Sequence, residues 1–222
     1  MLQMILSPII ISLKVSLIST IFTCIIGITL ARLFTKYEFK GKDVLEVLII
    51  LPMVLPPSVV GYGLLVILGR YGFIGKIILS VFNKSLIFTL TAACIASFVV
   101  SLPLMYQSCK AAFINMDKVC ENAARTLGAS ELKVFFKVTL PMAFPGIISG
   151  LVLSFARALG EFGATLMIAG NIPGKTQTIP TAIYFAVESG DNRTANILVL
   201  IVLIFSFTTI YSLNMWTKRN CK

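Results

Sequence analysis

Side chains able to do acid–base, metal or nucleophilic chemistry are few in this chain and do not cluster. There is no histidine among 222 residues. The cysteines, Cys24, Cys94, Cys109, Cys120 and Cys221, include no CxxC pair, and Cys24 and Cys94 fall in apolar runs. An odd count without paired spacing argues against both a disulfide framework and a zinc site. Two groups of charges stand out. Arg157 and Glu161 lie four residues apart inside an apolar run, so they share one helix face. Residues 121–141, ENAARTLGASELKVFFKVTLP, form a polar island with Glu121, Arg125, Glu131, Lys133 and Lys137, in a chain only 13% charged. A membrane enzyme acting on lipid or a lipid-linked phosphate would want acids or histidines gathered near an interface. Here Glu161 is the one acid deep in an apolar run. The chemistry these groups support is ion pairing and docking.

The elements that carry them are membrane helices. The chain is 57% hydrophobic, whereas soluble domains are roughly 45–50% apolar and about 25% charged. Several apolar runs reach the roughly 20 residues that span a bilayer. The runs are continuous rather than alternating, so helices fit better than a β-barrel. The fold class expected is all-α integral membrane with five spans, at about residues 7–33, 44–68, 85–107, 141–169 and 197–215, in a single domain over 1–222. The start, MLQMILSPIIISLK, lacks the basic region of a signal peptide and reads as part of a retained span. Residues 69–84 read as an interfacial turn, and 180–187 as a short interfacial or re-entrant helix within the loop 170–196. Residues 108–140 form the long polar connection.

Net charge is +10. In a soluble protein this would suggest nucleic acid; here the basic residues lie mainly in short loops, so they report topology, and lipid is the surrounding partner. Arg32, Lys36, Lys40, Lys42, Lys110, Lys118, Arg125, Lys133, Lys137, Lys218, Arg219 and Lys222 fall on one side of a five-span arrangement. Arg70, Lys76, Lys84, Lys175 and Arg193 fall on the other. The positive-inside rule then places the N-terminus outside, and the C-terminus and residues 108–140 in the cytoplasm.

Spacing within the island predicts two short helices joined at a glycine. Ala123, Ala124 and Arg125 belong to a helix-favouring run that Gly128 can end or turn. A second helix restarts near Glu131, and Leu140–Pro141 suits the entry to the next span.

On these residues the chain resembles the permeases of binding-protein-dependent ABC importers. Their signature is Glu-Ala-Ala, three residues, Gly, nine residues, Ile, one residue, Leu-Pro. Ala123, Ala124, Gly128, Leu140 and Pro141 fit it; Val138 replaces the usual Ile, and Asn122 stands at the Glu position with Glu121 one place earlier. ENAARTLGAS, VFFKVTLP, SFARALGEFGATLMIAGNIPGKTQTIPTAIY and ILPMVLPPSVVGYGLLVILGRYG further resemble the molybdate permease (ModB-type) branch, with sulfate permeases the nearest alternative and tungstate inseparable from molybdate. The resemblance implies a type I importer permease fold, a homodimer, two cytoplasmic ATPase subunits docked on residues 121–141, and an extracytoplasmic molybdate-binding protein. The chain has no GxxxxGK[ST] phosphate loop, so ATP belongs to the partner subunit and no cofactor is expected on this chain.

Within the spans, Pro52, Pro56, Pro57, Gly61 and Gly63 mark either a packing kink or a broken helix lining a path. Arg157 and Glu161 either neutralise one another or a neighbouring helix, or Arg157 adds positive potential to an oxyanion path while Glu161 holds it or a gate. Gly146 and Gly150, with Ser149 and Ser154, offer close helix contact within the subunit or at a dimer seam. Pro56, Pro57, Gly61, Ser154, Arg157 and Glu161 are therefore the path or packing candidates.

Overall fold

Backbone polar groups in hydrocarbon must be bonded within the chain, so long apolar runs become helices. The computed structural model describes residues 2–220, with side chains at 4–209, 211, 212 and 215. Cys221 and Lys222 lie outside the described residues, as do the side chains of Lys218 and Arg219. The helices are α1 (Leu2–Lys36), α2 (Lys42–Val54), α3 (Pro57–Leu68), α4 (Phe73–Phe82), α5 (Leu90–Ile114), α6 (Lys118–Thr126), α7 (Glu131–Val134), a π-helical turn (Phe135–Thr139), α8 (Leu140–Leu159), α9 (Gly163–Ala169), α10 (Ile179–Glu188) and α11 (Asn192–Asn220). Among the described residues four helices are long and apolar enough to cross a membrane, and five if the bent α2–α3 pair counts as one span.

Several boundaries differ from the sequence reading, each for a local reason. The expected span 44–68 is two helices that change direction by 119°. Pro56 and Pro57 supply no N–H to continue α2, and α3 starts with Pro57 in its first turn. The expected span 141–169 is also two helices, broken at residues 160–162. α5 runs on to Ile114, beyond the expected end at 107, because Lys110 pairs with Glu46 of α2. Residues 69–84 hold a short helix, α4, rather than only a turn, and α10 falls where the short helix was expected. The second helix of the polar island is not separate from the next span: α7, the π turn and α8 are continuous.

α1, α5 and α8 form the centre. Lipid tails are as apolar as leucine, so close packing rather than water exclusion holds such helices together. Small residues permit it. A Cβ on Gly27 would stand 2.7 Å from Met105 Cγ; on Gly146, 2.6 Å from Ala112 Cβ; on Gly150, 2.8 Å from Ser108 Cβ. The Gly146–Gly150 pair therefore seats α8 on α5 within the chain. One apolar cluster gathers Val15, Val60, Ala93, Ala96, Ala164 and Ile168; a second, towards the polar island, gathers Ala31, Phe34, Met105, Tyr106 and Ile147. Between α1 and α5 runs a seam of hydroxyls: Ser19 Oγ donates to the Cys94 carbonyl at 2.8 Å, and Thr23 meets Ser101 at 3.1 Å. Lys14, the charge inside the first span, is exposed and lines a cleft of about 760 Å³ beside α10 and the start of α11.

Candidate functional site

The polar island folds as two helices hinged at one glycine. Asp117 opens α6, its Oδ1 accepting the Val119 N–H at 2.9 Å. The chain leaves the helix through Gly128, whose φ of 81° lies in the left-handed region. The Gly128 N–H donates to the Arg125 carbonyl at 2.9 Å and the Ala129 N–H to the Ala124 carbonyl at 3.1 Å, satisfying carbonyls at the helix end. A Cβ there would meet nothing within 4 Å, so the backbone angle, not crowding, selects glycine. Ser130 caps α7 by accepting the Lys133 N–H at 3.4 Å.

Ion pairs tie this unit to the bundle. Glu121 is buried, with a side chain 7% exposed. Its Oε1 takes Arg32 Nη2 at 2.9 Å and the Thr139 hydroxyl at 2.5 Å; its Oε2 takes Arg125 Nη2 at 3.1 Å. Arg125 also donates from Nη1 to Asn122 Oδ1 at 2.9 Å and from Nε to Glu131 Oε1 at 2.7 Å. Glu131 Oε2 accepts Lys36 Nζ at 2.6 Å. The Arg32 guanidinium sits 5.9 Å from the centroids of both Phe113 and Phe135. Burial alone would raise the Glu121 pKa, but the Thr139 hydroxyl and the Arg32 and Arg125 charges outweigh it and hold the carboxyl below its usual range. Hydrogen bonds from Arg125 and Lys36 bring Glu131 down to about 2. The outward face carries Asn122, Ala123, Thr126, Leu127, Gly128 and Leu132; Leu127 is 88% exposed and Leu132 73%.

The two broken spans meet each other. A Cβ on Gly163 would lie 2.9 Å from Pro57 Cβ, and one on Gly61 would lie 2.8 Å from Ala164 Cα. α3 and α9 thus pack backbone to backbone just beyond their breaks. Glu161 holds the second break: its Oε2 takes Arg157 Nη1 at 2.7 Å and its Oε1 accepts the Ala164 N–H at 2.8 Å. Its side chain is 1% exposed, whereas that of Arg157 is 33% exposed.

Residues 23–218 match the family described as binding-protein-dependent transport system inner membrane component. The chain belongs to that family. YvgM of Bacillus subtilis (strain 168) is 47% identical over 205 residues, 92% of this chain and 90% of its own length. The molybdenum transport system permease protein ModB of Escherichia coli (strain K12) is 43% identical over 213 residues, covering 95% and 92%. The sulfate transport system permease protein CysT of Salmonella typhimurium (strain LT2) is 32% identical over 209 residues, covering 94% and 75%. A chain of the MetNI methionine ABC transporter superposes with a TM-score of 0.75 at 15% identity, covering 99% of this chain and 97% of that one. That likeness gives the fold, the importer permease architecture that the family resemblance implied. This permease is accordingly a multi-pass inner-membrane subunit of a transport system, not its enzyme.

In the permease, the residues singled out from sequence divide by exposure. Asn122, Ala123 and Gly128 face outward, Ala124, Arg125 and Leu140 are half-buried, and Pro141 is exposed at the start of α8. Glu121 faces inward and takes no part in the outward surface. Pro56 and Pro57 are exposed and Arg157 half-buried, whereas Gly61, Ser154 and Glu161 are buried, Ser154 donating to the Ser101 carbonyl at 3.3 Å. Sequence reasoning missed Arg32, Lys36 and Thr139. Arg32 and Lys36, four apart at the end of the first span, count for topology, but the same spacing puts both on one helix face, aimed at one neighbour.

Proposed function

We propose that this permease imports molybdate, as a pair of identical subunits with two ATPase subunits on the cytoplasmic face and an extracytoplasmic molybdate-binding protein on the other. The observation that carries the substrate is the gap in identity: 43% to a molybdenum permease over 95% of the chain, against 32% to a sulfate permease over 94%. Tungstate matches molybdate in size, shape and charge and takes the same route. The N-terminus lies outside, and the C-terminus and α6–α7 lie in the cytoplasm. This orientation rests on the clustering of Arg32, Lys36, Lys118, Arg125, Lys133 and Lys137 at the end of the bundle that carries α6 and α7.

In this reading the exposed face of Asn122, Ala123, Gly128, Leu127 and Leu132 seats in the ATPase, and Leu140–Pro141 carries the movement into α8. ATP is bound and hydrolysed by the partner; this chain holds no cofactor. The breaks at Pro56–Pro57 and at 160–162 sit where a path between subunits would turn. Arg157 and Glu161 neutralise one another at the second break, and Glu161 also caps α9, so the pair holds the break rather than binding the anion. Contacts on such a path are weak, because a dianion must also leave.

The test is uptake by vesicles containing the permease, its ATPase and its binding protein. Molybdate accumulation should require ATP and be displaced by tungstate but not by the same excess of sulfate. Equal displacement by sulfate would reassign the substrate, and accumulation without ATP would make the protein a channel. A reporter fused at the C-terminus should read cytoplasmic.

A further inference from the structure

The coupling helix α6 hangs from the bundle by a carboxylate. Glu121 is its one buried residue, while Val119 is 67% exposed and Leu127, just past its end, 88%. Apolar burial therefore does little to attach α6. The Glu121 oxygens instead receive Arg32 from α1 and Thr139 from the π turn, besides Arg125 of α6 itself. Arg32 is confined in turn, boxed by Phe113 of α5 and Phe135 of the π turn. One turn further along α1, Lys36 holds Glu131 at 2.6 Å. Such pairs are directional, and losing one partner leaves the other charge buried without full compensation.

We propose that Arg32 is a positioning residue that joins α1 to the coupling helix, so that displacement of α6 by the ATPases reaches the α1–α5–α8 bundle through the Arg32–Glu121 pair. The alternative is that Arg32 only anchors the first span at the interface. Removing Arg32 separates the two roles. An anchor affects how much permease reaches the membrane. A joint affects how much molybdate moves for each ATP spent. This inference rests on the importer reading. If that reading fails, vesicles with the unaltered permease show no ATP-driven uptake; if only the joint fails, they transport normally and Arg32→Ala does too.

The experiment compares unaltered permease, Arg32→Ala and Arg32→Lys in the full reconstituted complex, measuring ATPase association, ATP hydrolysed and molybdate delivered. Arg32→Ala should keep its ATPase but deliver roughly tenfold less molybdate per ATP, because Glu121 then loses its only partner on α1 and part of its charge compensation. Arg32→Lys, which keeps the charge, should recover part of that ratio. An unchanged ratio in Arg32→Ala overturns the proposal. Should Arg32→Ala fail to accumulate, a distance measurement with Arg32 intact decides. Spin labels at positions 29 and 119, both exposed, in a background without native cysteines, should keep a constant separation between nucleotide-free and ATP-bound complexes. The separation of 119 from exposed Val66 should change. A 29–119 separation that changes as much as 119–66 overturns the proposal.

Discussion

Gly61 and Gly63 lie two residues apart on α3 and should respond oppositely to alanine. At Gly61 a new Cβ would stand 2.8 Å from Ala164 Cα and 2.8 Å from Met167 Cβ; at Gly63 it would meet nothing within 4 Å. Ordinary contact begins at 3.4 Å, so the Gly61 methyl is short of room by about 0.6 Å against a backbone atom, which cannot rotate away. Overpacking of this kind costs about 1–3 kcal/mol. Both substitutions also gain helix propensity, about 0.8–1 kcal/mol for Gly to Ala. Gly63→Ala should therefore stabilise by up to about 1 kcal/mol, while Gly61→Ala should be destabilising by up to about 2 kcal/mol once the propensity gain is set against the clash. The assay is thermal unfolding of the purified permease in detergent, with the two variants and the unaltered protein side by side. Because α3 and α9 meet next to both breaks, Gly61→Ala should also lower uptake relative to Gly63→Ala at equal membrane abundance. Indistinguishable unfolding of the two variants would refute the backbone contact between α3 and α9.

The ion pairs lead to two further outcomes. Arg157→Ala leaves Glu161, 1% exposed, without its cationic partner while the Ala164 N–H still points at it. Membrane abundance should fall more than uptake per molecule, measured by quantitative immunoblot and transport on the same vesicles; normal abundance without transport would give Arg157 a direct role on the path. The pH dependence of the α6–α7 unit has a definite sign. Glu121 and Glu131 both have pKa values depressed in the folded state, Glu131 to about 2. Their contribution is fully present above the ordinary carboxylate range and is lost as pH falls through the depressed values. Amide hydrogen exchange across 118–139, normalised at each pH to the rate of the unstructured chain, should stay slow from neutral pH down to about pH 5 and accelerate only at lower pH. Acceleration near neutrality would contradict the network.

What could be read from the sequence was what depends on neighbours along the chain. Apolar runs gave the spans, and spacing gave the hinge at Gly128. Hydropathy has no direction, so Pro56–Pro57 announced a kink or a break but not a turn of 119°. Lys110 looked like the end of a span because its partner, Glu46, comes from another helix. The orientation of Glu121 was hidden for the same reason: its burial depends on Arg32, contributed by the first span. Exposure of Leu127 and Leu132, by contrast, agrees with a face waiting for a partner.

The π turn fixes more than a local irregularity. At its end the Leu140 N–H reaches back to the Phe135 carbonyl, five residues away, where an α-helix would reach four. The rod from Glu131 to Leu159 therefore carries one surplus residue. Each residue of an α-helix turns it by about 100°. Removing a single residue between 135 and 139 would regularise the rod and swing Glu131 round its axis, away from both Arg125 and Lys36. The separation of Gly128 from Pro141 is thus a phase setting as well as a length. Surface loops tolerate insertions at small cost, but here a one-residue deletion, chemically conservative and far from any span centre, would aim the Gly128 hinge in the wrong direction.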